Sequence, residues 1–424
     1  MPSTPSPVID MRDPVFRSDP HPVLHAVRSR SRAERDVIGI WLATHHADCS
    51  AGLRSSALSR EVTRTPGYAQ LRPFVADSTL ERTCERWMLF NDPPVHTRLR
   101  RLVNAAFKPA VVQTLRARVG AITAELLAAL PTEDGATFDL MPTLAQPLPV
   151  RVICDVLGLP AEDFAQTKQW ADALALIVEP VVRRAQRQAA DHAATEMVEY
   201  LRAHIARHRA SGERDDLLGT LVAAHDAGDG ASSSSSLSED ELLGNLILLF
   251  VAGHETTTNL LGNGLLTLLR HPEALAQLRA DPEKLLPGAV DEMLRFESSV
   301  NMVARHAVAP YAIGDTVVPA GDVVFFMTGA ANRDPAVFAE PDRFDITRSP
   351  NPHLAFGAGI HYCVGAPLAR MEAEVAFGQL LEQRPELALA QPDEGPAWRK
   401  LINLRGLETL PLRSAGRSFV DAAA

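Results

Sequence analysis

Four groups of residues in this sequence have the types and spacing for chemistry. The first surrounds Cys363, in the run Phe356-Gly357-Ala358-Gly359-Ile360-His361-Tyr362-Cys363-Val364-Gly365. Glycines at 357, 359 and 365 permit tight turns and a close approach of backbone to something flat. The cysteine stands where a helix is expected to begin, so the N-terminal dipole and free N–H groups favour a thiolate. A thiolate so placed is a soft metal ligand. Taken alone, a cysteine beside a turn is more often a plain buried thiol. The remaining cysteines, Cys49, Cys84 and Cys154, make no CxxC pair, so neither a zinc site nor a disulfide framework is indicated. In a reducing cytosol all four are expected as thiols.

The second group is Ala252-Gly253-His254-Glu255-Thr256-Thr257, an acid beside an alcohol in an otherwise apolar run. Glycine inside a helix costs about 1 kcal/mol relative to alanine. A helix that accepts this cost is expected to be distorted, making room for a small ligand. The bland alternatives are a threonine bonded back to its own helix and a glutamate facing water. The third group is Glu292 with Arg295, an i,i+3 pair that on a surface is worth roughly a few tenths of a kcal/mol. In the fourth, His96 and Arg100 share a helix face at i,i+4, by default a solvated basic face.

These residues need elements to hold them. Residues 37–43 are β-branched and apolar and predict a strand. Residues 58–90 have little periodicity and read as loop with short helix. Asp92-Pro93-Pro94 gives an acidic N-cap with proline in the first turn of a helix, followed by Leu99, Leu102, Val103 and Ala106 at helical spacing. From there to about residue 270 nearly everything reads as helix. Ser238 with Glu241 forms a capping box opening a long helix over 239–270, apolar on several faces and so expected through the middle of the protein. Helices over 272–280 and about 286–296 follow. After residue 300, short β-like runs at 303–308, 316–318 and 323–326 are separated by proline and glycine. A structureless stretch over 340–362 then leads to a helix over about 364–382. The expected architecture is mainly α with a small β part, as one domain over 1–424. Residues 1–20 are expected as a flexible tail and 228–237 as a flexible serine-rich loop.

The 424 residues are 46% hydrophobic and 22% charged, enough for a large core. The formal net charge of −10 argues against nucleic acid as a partner. The sequence start has no apolar core of signal-peptide length, and no run of about 18 uninterrupted apolar residues occurs. A cytoplasmic protein without a membrane span is expected.

Together the four groups resemble the cytochrome P450 family. The run from Phe356 to Gly365 is similar to that family's haem-binding signature FGxGxHxCxG at every specified position. The resemblance implies the cytochrome P450 fold, with a long central helix over haem and a proximal cysteine loop before a C-terminal helix. It implies haem b (iron protoporphyrin IX), with Cys363 as the axial thiolate that favours O–O cleavage. Phe356 and Gly365 then lie beside the haem, and His361 donates to a propionate. The run from Ala252 to Thr257 resembles the family's oxygen-binding motif A-G-x-[DE]-T-[TS]. Ala252 then borders the haem, Thr256 takes part in binding and protonating dioxygen, and Glu255 feeds protons inward. His254 fills the variable position and has no catalytic role. The resemblance makes Glu292, Arg295 and Arg343, the last in Pro341-Asp342-Arg343-Phe344, structural: a buried pair tying its helix to the segment before the cysteine. It makes His96, Arg100 and Arg305 propionate contacts.

The implied activity is a monooxygenase inserting one oxygen atom of O2 into a medium-sized apolar substrate of secondary metabolism, by hydroxylation or epoxidation. By family position the pocket includes Leu89, Phe90, Leu246, Leu249, Phe250, Val300, Met302, Val303 and Ile402, with Asn245 and Asn301 as polar contacts. Electrons are expected from a separate ferredoxin or flavodoxin with its NAD(P)H-dependent reductase. Arg98, Arg101 and Lys108 are the expected basic dock, weighed equally against a solvated face. A monomer is expected. The rivals are a peroxide-driven peroxygenase on the same fold, disfavoured by Glu255-Thr256, and a non-enzymatic haem sensor or carrier.

Overall fold

The computed structural model describes residues 9–64, 78–104, 107–133, 135–211, 217–226 and 237–414. Its organising element is the 31-residue helix Glu239–Leu269. The capping box is present: Ser238 Oγ accepts from Glu241 N at 3.2 Å and Glu241 Oε2 accepts from Ser238 N at 2.9 Å. Three acids in the first turn complement the helix dipole. Beyond them nearly every side chain is buried, because other helices cover each face of the rod. Those helices are Pro147–Val156, Phe164–Ala175, Pro282–Phe296 and Ala366–Gln383. At its middle the pattern breaks: Ala252 is exposed, and Gly253 and Thr256 are half-buried. The helix is unbroken through Gly253, contrary to the distortion expected there. A methyl group at Gly253 would meet Ile153 at 3.4 Å, an ordinary contact, so packing does not by itself demand glycine there.

Several boundaries move for physical reasons. Pro282–Phe296 begins earlier than the expected residue 286. Asp281 caps it, its side chain accepting from Lys284 N at 3.4 Å, and Pro282 takes the first position. Pro287 is carried inside this helix. The helix after the cysteine is Ala366–Gln383, and Pro272–Ala280 is as expected. Asp92 does not cap Val95–Asn104 with its side chain; its carboxylate instead accepts from Ser59 Oγ and from Arg60 N.

The principal sheet has the order Ala33–Arg35, Trp41–Ala43, Val323–Phe326, Val303–Ala307, Leu58–Ser59. Trp41–Ala43 runs parallel to Val323–Phe326 and the other pairs are antiparallel. The strand expected over 37–43 shortens to Trp41–Ala43. Asp36 Oδ1 accepts from Ile38 N and Ile40 N, and Gly39 takes φ 86°, so 36–40 is a turn. Within the expected tail, residues 9–20 are packed rather than loose. Ile9, Met11 and Phe16 are buried with Leu24 and Val27, and Pro14–Ser18 is a short helix. Residues 1–8, and all of the serine-rich segment 228–237 except buried Leu237, lie outside the described residues. No helix among the described residues is long and apolar enough to cross a membrane.

Candidate functional site

Cys363 lies between the short helix Gly359–His361 and the helix Ala366–Gln383. Its amide donates to Phe356 O at 2.9 Å, closing the loop on itself. Gly357 and Gly359 take φ 70° and 72°, the left-handed region that glycine reaches without strain. A methyl group at Gly359 would come within 2.7 Å of Leu53 O, so the loop also needs a bare backbone there. Gly365 has an ordinary φ of −82° and serves as the N-cap. Cys49, Cys84 and Cys154 are buried, whereas Cys363 is exposed. It is accessible from one direction but walled by protein on the others, so burial still pushes its thiol up. The N–H groups of Gly365 and Ala366 and the guanidiniums of Arg100 and Arg370 oppose that and favour the thiolate.

Basic side chains gather beside this loop. The rings of His96 and His361 are 4.2 Å apart between centroids. Burial first, then Arg100 and Arg305, lowers His96 to about 4. Burial drives His361 far below the ordinary histidine range, with Arg305 next. Arg305 is 2% exposed and, among the described residues, donates to the carbonyl of its neighbour Ala304 at 2.9 Å. Burial lowers it to about 9. Nδ1 of His96 and Nε2 of His361 are buried without a hydrogen-bond partner among the described residues. Arg100 donates to Asn104 Oδ1 at 2.8 Å. Two members were missed in the sequence. Arg60 donates to Leu89 O and Ala304 O, and its charge bears on Arg305 and His361. Arg370 lies 4.6 Å from the Phe356 ring centroid and donates to Asp291 at 2.7 Å. Its position two helical turns after Cys363 was the available signal.

On the central helix, Thr256 Oγ1 donates to Ala252 O at 2.8 Å, the back-bond named as its bland reading. Its oxygen remains able to accept. Glu255 is buried and contacts Arg399, a residue the sequence did not single out.

The expected Glu292–Arg295 pair is wholly buried. Arg295 donates to both Glu292 oxygens at 2.7 Å and to the carbonyls of Asn332, Pro341 and Arg343. The third arm is a correction. The Arg343 side chain is 63% exposed and pairs with Glu340. Arg348 reaches Glu292 instead, at 3.2 Å, joined by Asn351 at 3.1 Å. Arg343 contributes its backbone carbonyl, because its side chain leaves the loop toward water.

The expected pocket divides. Leu89, Phe90, Val300 and Val303 are half-buried, packed against the edges of the core. Leu249 lies three residues before Ala252 and shares its face of the helix, as does Leu248, which the sequence reading missed. Leu246 and Phe250 fall off that face and are fully buried in the core. Asn245 is not free for a substrate: it accepts from Met88 N and donates to Arg86 O and Glu241 O. Met302 packs with the N-terminal segment. Asn301 donates weakly to Ile402 O, at 3.4 Å. Ile402 borders a cavity near Glu255. In the expected basic dock, Arg98 is withdrawn by its ion pair with Glu241, while Arg101 and Lys108 are exposed.

Residues 35–388 match the family model described as Cytochrome P450. Cytochrome P450 107B1 of Saccharopolyspora erythraea is 41% identical over 95% of this chain and 96% of its own. Mycinamicin IV hydroxylase/epoxidase of Micromonospora griseorubida is 37% identical over 88% and 89%. The tirandamycin C-bound P450 monooxygenase TamI superposes with a TM-score of 0.83 at 42% identity, covering 95% of this chain and 99% of that one. Proteins of this family use haem b, and the donors here fit it. An accessible sulfur at a helix N-terminus suits the iron, and buried imidazole nitrogens without a partner among the described residues, beside the buried guanidinium of Arg305, suit two propionates. The chain belongs to the cytochrome P450 family of haem-dependent monooxygenases.

Proposed function

We propose that Cys363 ligates the haem iron, that His96, Arg100, Arg305 and His361 hold the propionates, and that Glu255 and Thr256 deliver protons. The observation that carries this reading is the convergence, on the loop of the one accessible cysteine, of two buried imidazoles with a nitrogen unpartnered among the described residues and of the guanidiniums of Arg100 and Arg305. Haem b, when bound, supplies the iron at which dioxygen is reduced and one of its atoms is inserted into a C–H or C=C bond. The chain's own residues do the rest. The N–H groups of Gly365 and Ala366 would help stabilise the sulfur as an anion once it held the iron, against the burial that favours the thiol. Phe356 shields it from water, and Arg370, stacked on Phe356 and fixed by Asp291, adds positive charge. Glu255 takes protons from the cavity side and passes them toward Thr256, the next residue, about 100° around the helix, whose Oγ holds one. Leu89, Phe90, Leu248, Leu249, Val300 and Val303 position an apolar substrate and exclude water.

The substrate we infer is a medium-sized apolar product of secondary metabolism. Its support is the aliphatic lining and the names of two relatives, one a mycinamicin IV hydroxylase/epoxidase and one bound to tirandamycin C. Electrons come from a separate ferredoxin with its reductase, docking where Arg101 and Lys108 are exposed. The whole chain acts as one catalytic domain. The test is turnover with ferredoxin, reductase and NAD(P)H, in wild type and Thr256→Ala. The variant is expected to consume NAD(P)H while its product per NAD(P)H falls by at least about tenfold and peroxide accumulates. An unchanged product yield would remove Thr256 from the proton path. Wild-type turnover with peroxide alone, and none with ferredoxin, would favour the peroxygenase.

A further inference from the structure

His254 has no part in the haem site, yet its setting calls for a role. It lies two residues after Ala252, about 200° around the helix, and so on the face away from Ala252 and Thr256. It is 1% exposed, and neither ring nitrogen has a hydrogen-bond partner among the described residues. Such orphaned buried groups are rare. The ring borders a cavity of 690 Å³ that also takes in Lys168, Asp172, Glu255 and Arg399. One ligand atom each from Asp172, His254 and Glu255 lies within 4.8 Å of the others.

We propose that Asp172, His254 and Glu255 form a site for a divalent transition ion. One imidazole nitrogen and two carboxylate oxygens make a donor set suited to zinc and its neighbours, with the cavity leaving a further position for water. Burial lowers His254 to about 4, so at neutral pH it is in the neutral form that binds metal. The site has competitors. Lys168 Nζ donates to Asp172 Oδ2 at 2.6 Å, and Arg399 contacts Glu255. Both cations are on long side chains, 30% and 28% exposed, which reach solvent when displaced. Ion binding and the Glu255–Arg399 pair therefore compete for the same carboxylate. A carboxylate held by a metal carries no protons, so an occupied site throttles product formation. That consequence, unlike the site, rests on Glu255 being the proton carrier.

Calorimetric titration of zinc into tag-free holoenzyme tests the site, with haem content checking that each variant is folded. The expected result is one ion per chain. Asp172→Asn and His254→Gln each weaken it by at least about tenfold, and Arg399→Gln, which removes a competing cation, tightens it. No stoichiometric binding to wild type would overturn the proposal. So would an affinity unchanged in both Asp172→Asn and His254→Gln, which puts the ion elsewhere. Zinc should also lower product per NAD(P)H in wild type and not in Asp172→Asn. Binding with an unchanged yield would keep the ion site and remove the proton role of Glu255.

Discussion

Glu292 and Glu372 are both buried carboxylates, and their surroundings set them opposite fates. Glu292 receives Arg295, Arg348, Asn351 and the amide of Asp345. Glu372, on the helix after Cys363, is 3% exposed, and its Oε2 has no partner among the described residues. Burial pushes it up to about 8 from an ordinary value of 4.5. Below pH 4.5 both folded and unfolded chains hold this proton, so it does not affect stability. Between there and pH 8 the unfolded chain releases the proton and the folded chain keeps it. Stability therefore falls with rising pH, by up to about 1.4 kcal/mol per unit. Glu372→Gln should match wild type near pH 4 and melt higher at pH 8; thermal midpoints of the holoenzymes across this range check it, and parallel curves would contradict it. At this scale the sequence was informative where spacing on one helix sets the partner, as for Glu292 with Arg295. It misjudged which further cation reaches Glu292 from the loop. Arg343 and Arg348 are alike in type and five apart, and only the path of the loop decides that Arg348 faces inward.

At the scale of elements, the segment 340–362 has almost no regular structure, yet it is held firmly. Arg295 ties down the carbonyls of Pro341 and Arg343, and Arg348 donates to those of Ala339, Glu340 and Arg343 as well as to Glu292. Side-chain donors here replace the ladder that a helix or strand would supply. Arg348→Ala should cost about 2–3 kcal/mol and lower haem content on expression, since it removes charged hydrogen bonds at a buried carboxylate. Arg343→Ala should stay within about 0.5 kcal/mol, its exposed partner being worth little. Urea midpoints with haem content measure both, and equal losses would return Arg343 to the network. Helices with their own punctuation were legible, as in Glu239–Leu269 with its capping box. Strand Trp41–Ala43 was legible only in part, because the turn at Asp36 and Gly39 interrupts an apolar run that continues through it.

At the scale of the molecule, the two ends of the chain close on each other. Arg405 donates to the carbonyls of Arg17 and Ser18 and pairs with Glu297, and this binds the N-terminal segment to the last strands. Such pairings, hundreds of residues apart, leave no local signal, and for that reason residues 9–20 read as tail. The proposed haem site is likewise assembled from afar: His96, Arg305 and Cys363 come from a helix, a sheet strand and a loop. In the sequence only the resemblance to a family joined them. The measurement that tests this assembly most directly is the absorption spectrum of the reduced, CO-treated protein, in wild type and Cys363→Ala. Wild type should show the strongly red-shifted Soret band of a thiolate-bound haem, and the variant should lack it. A wild-type protein that takes up no haem, or a variant that keeps the red-shifted band, would contradict the account.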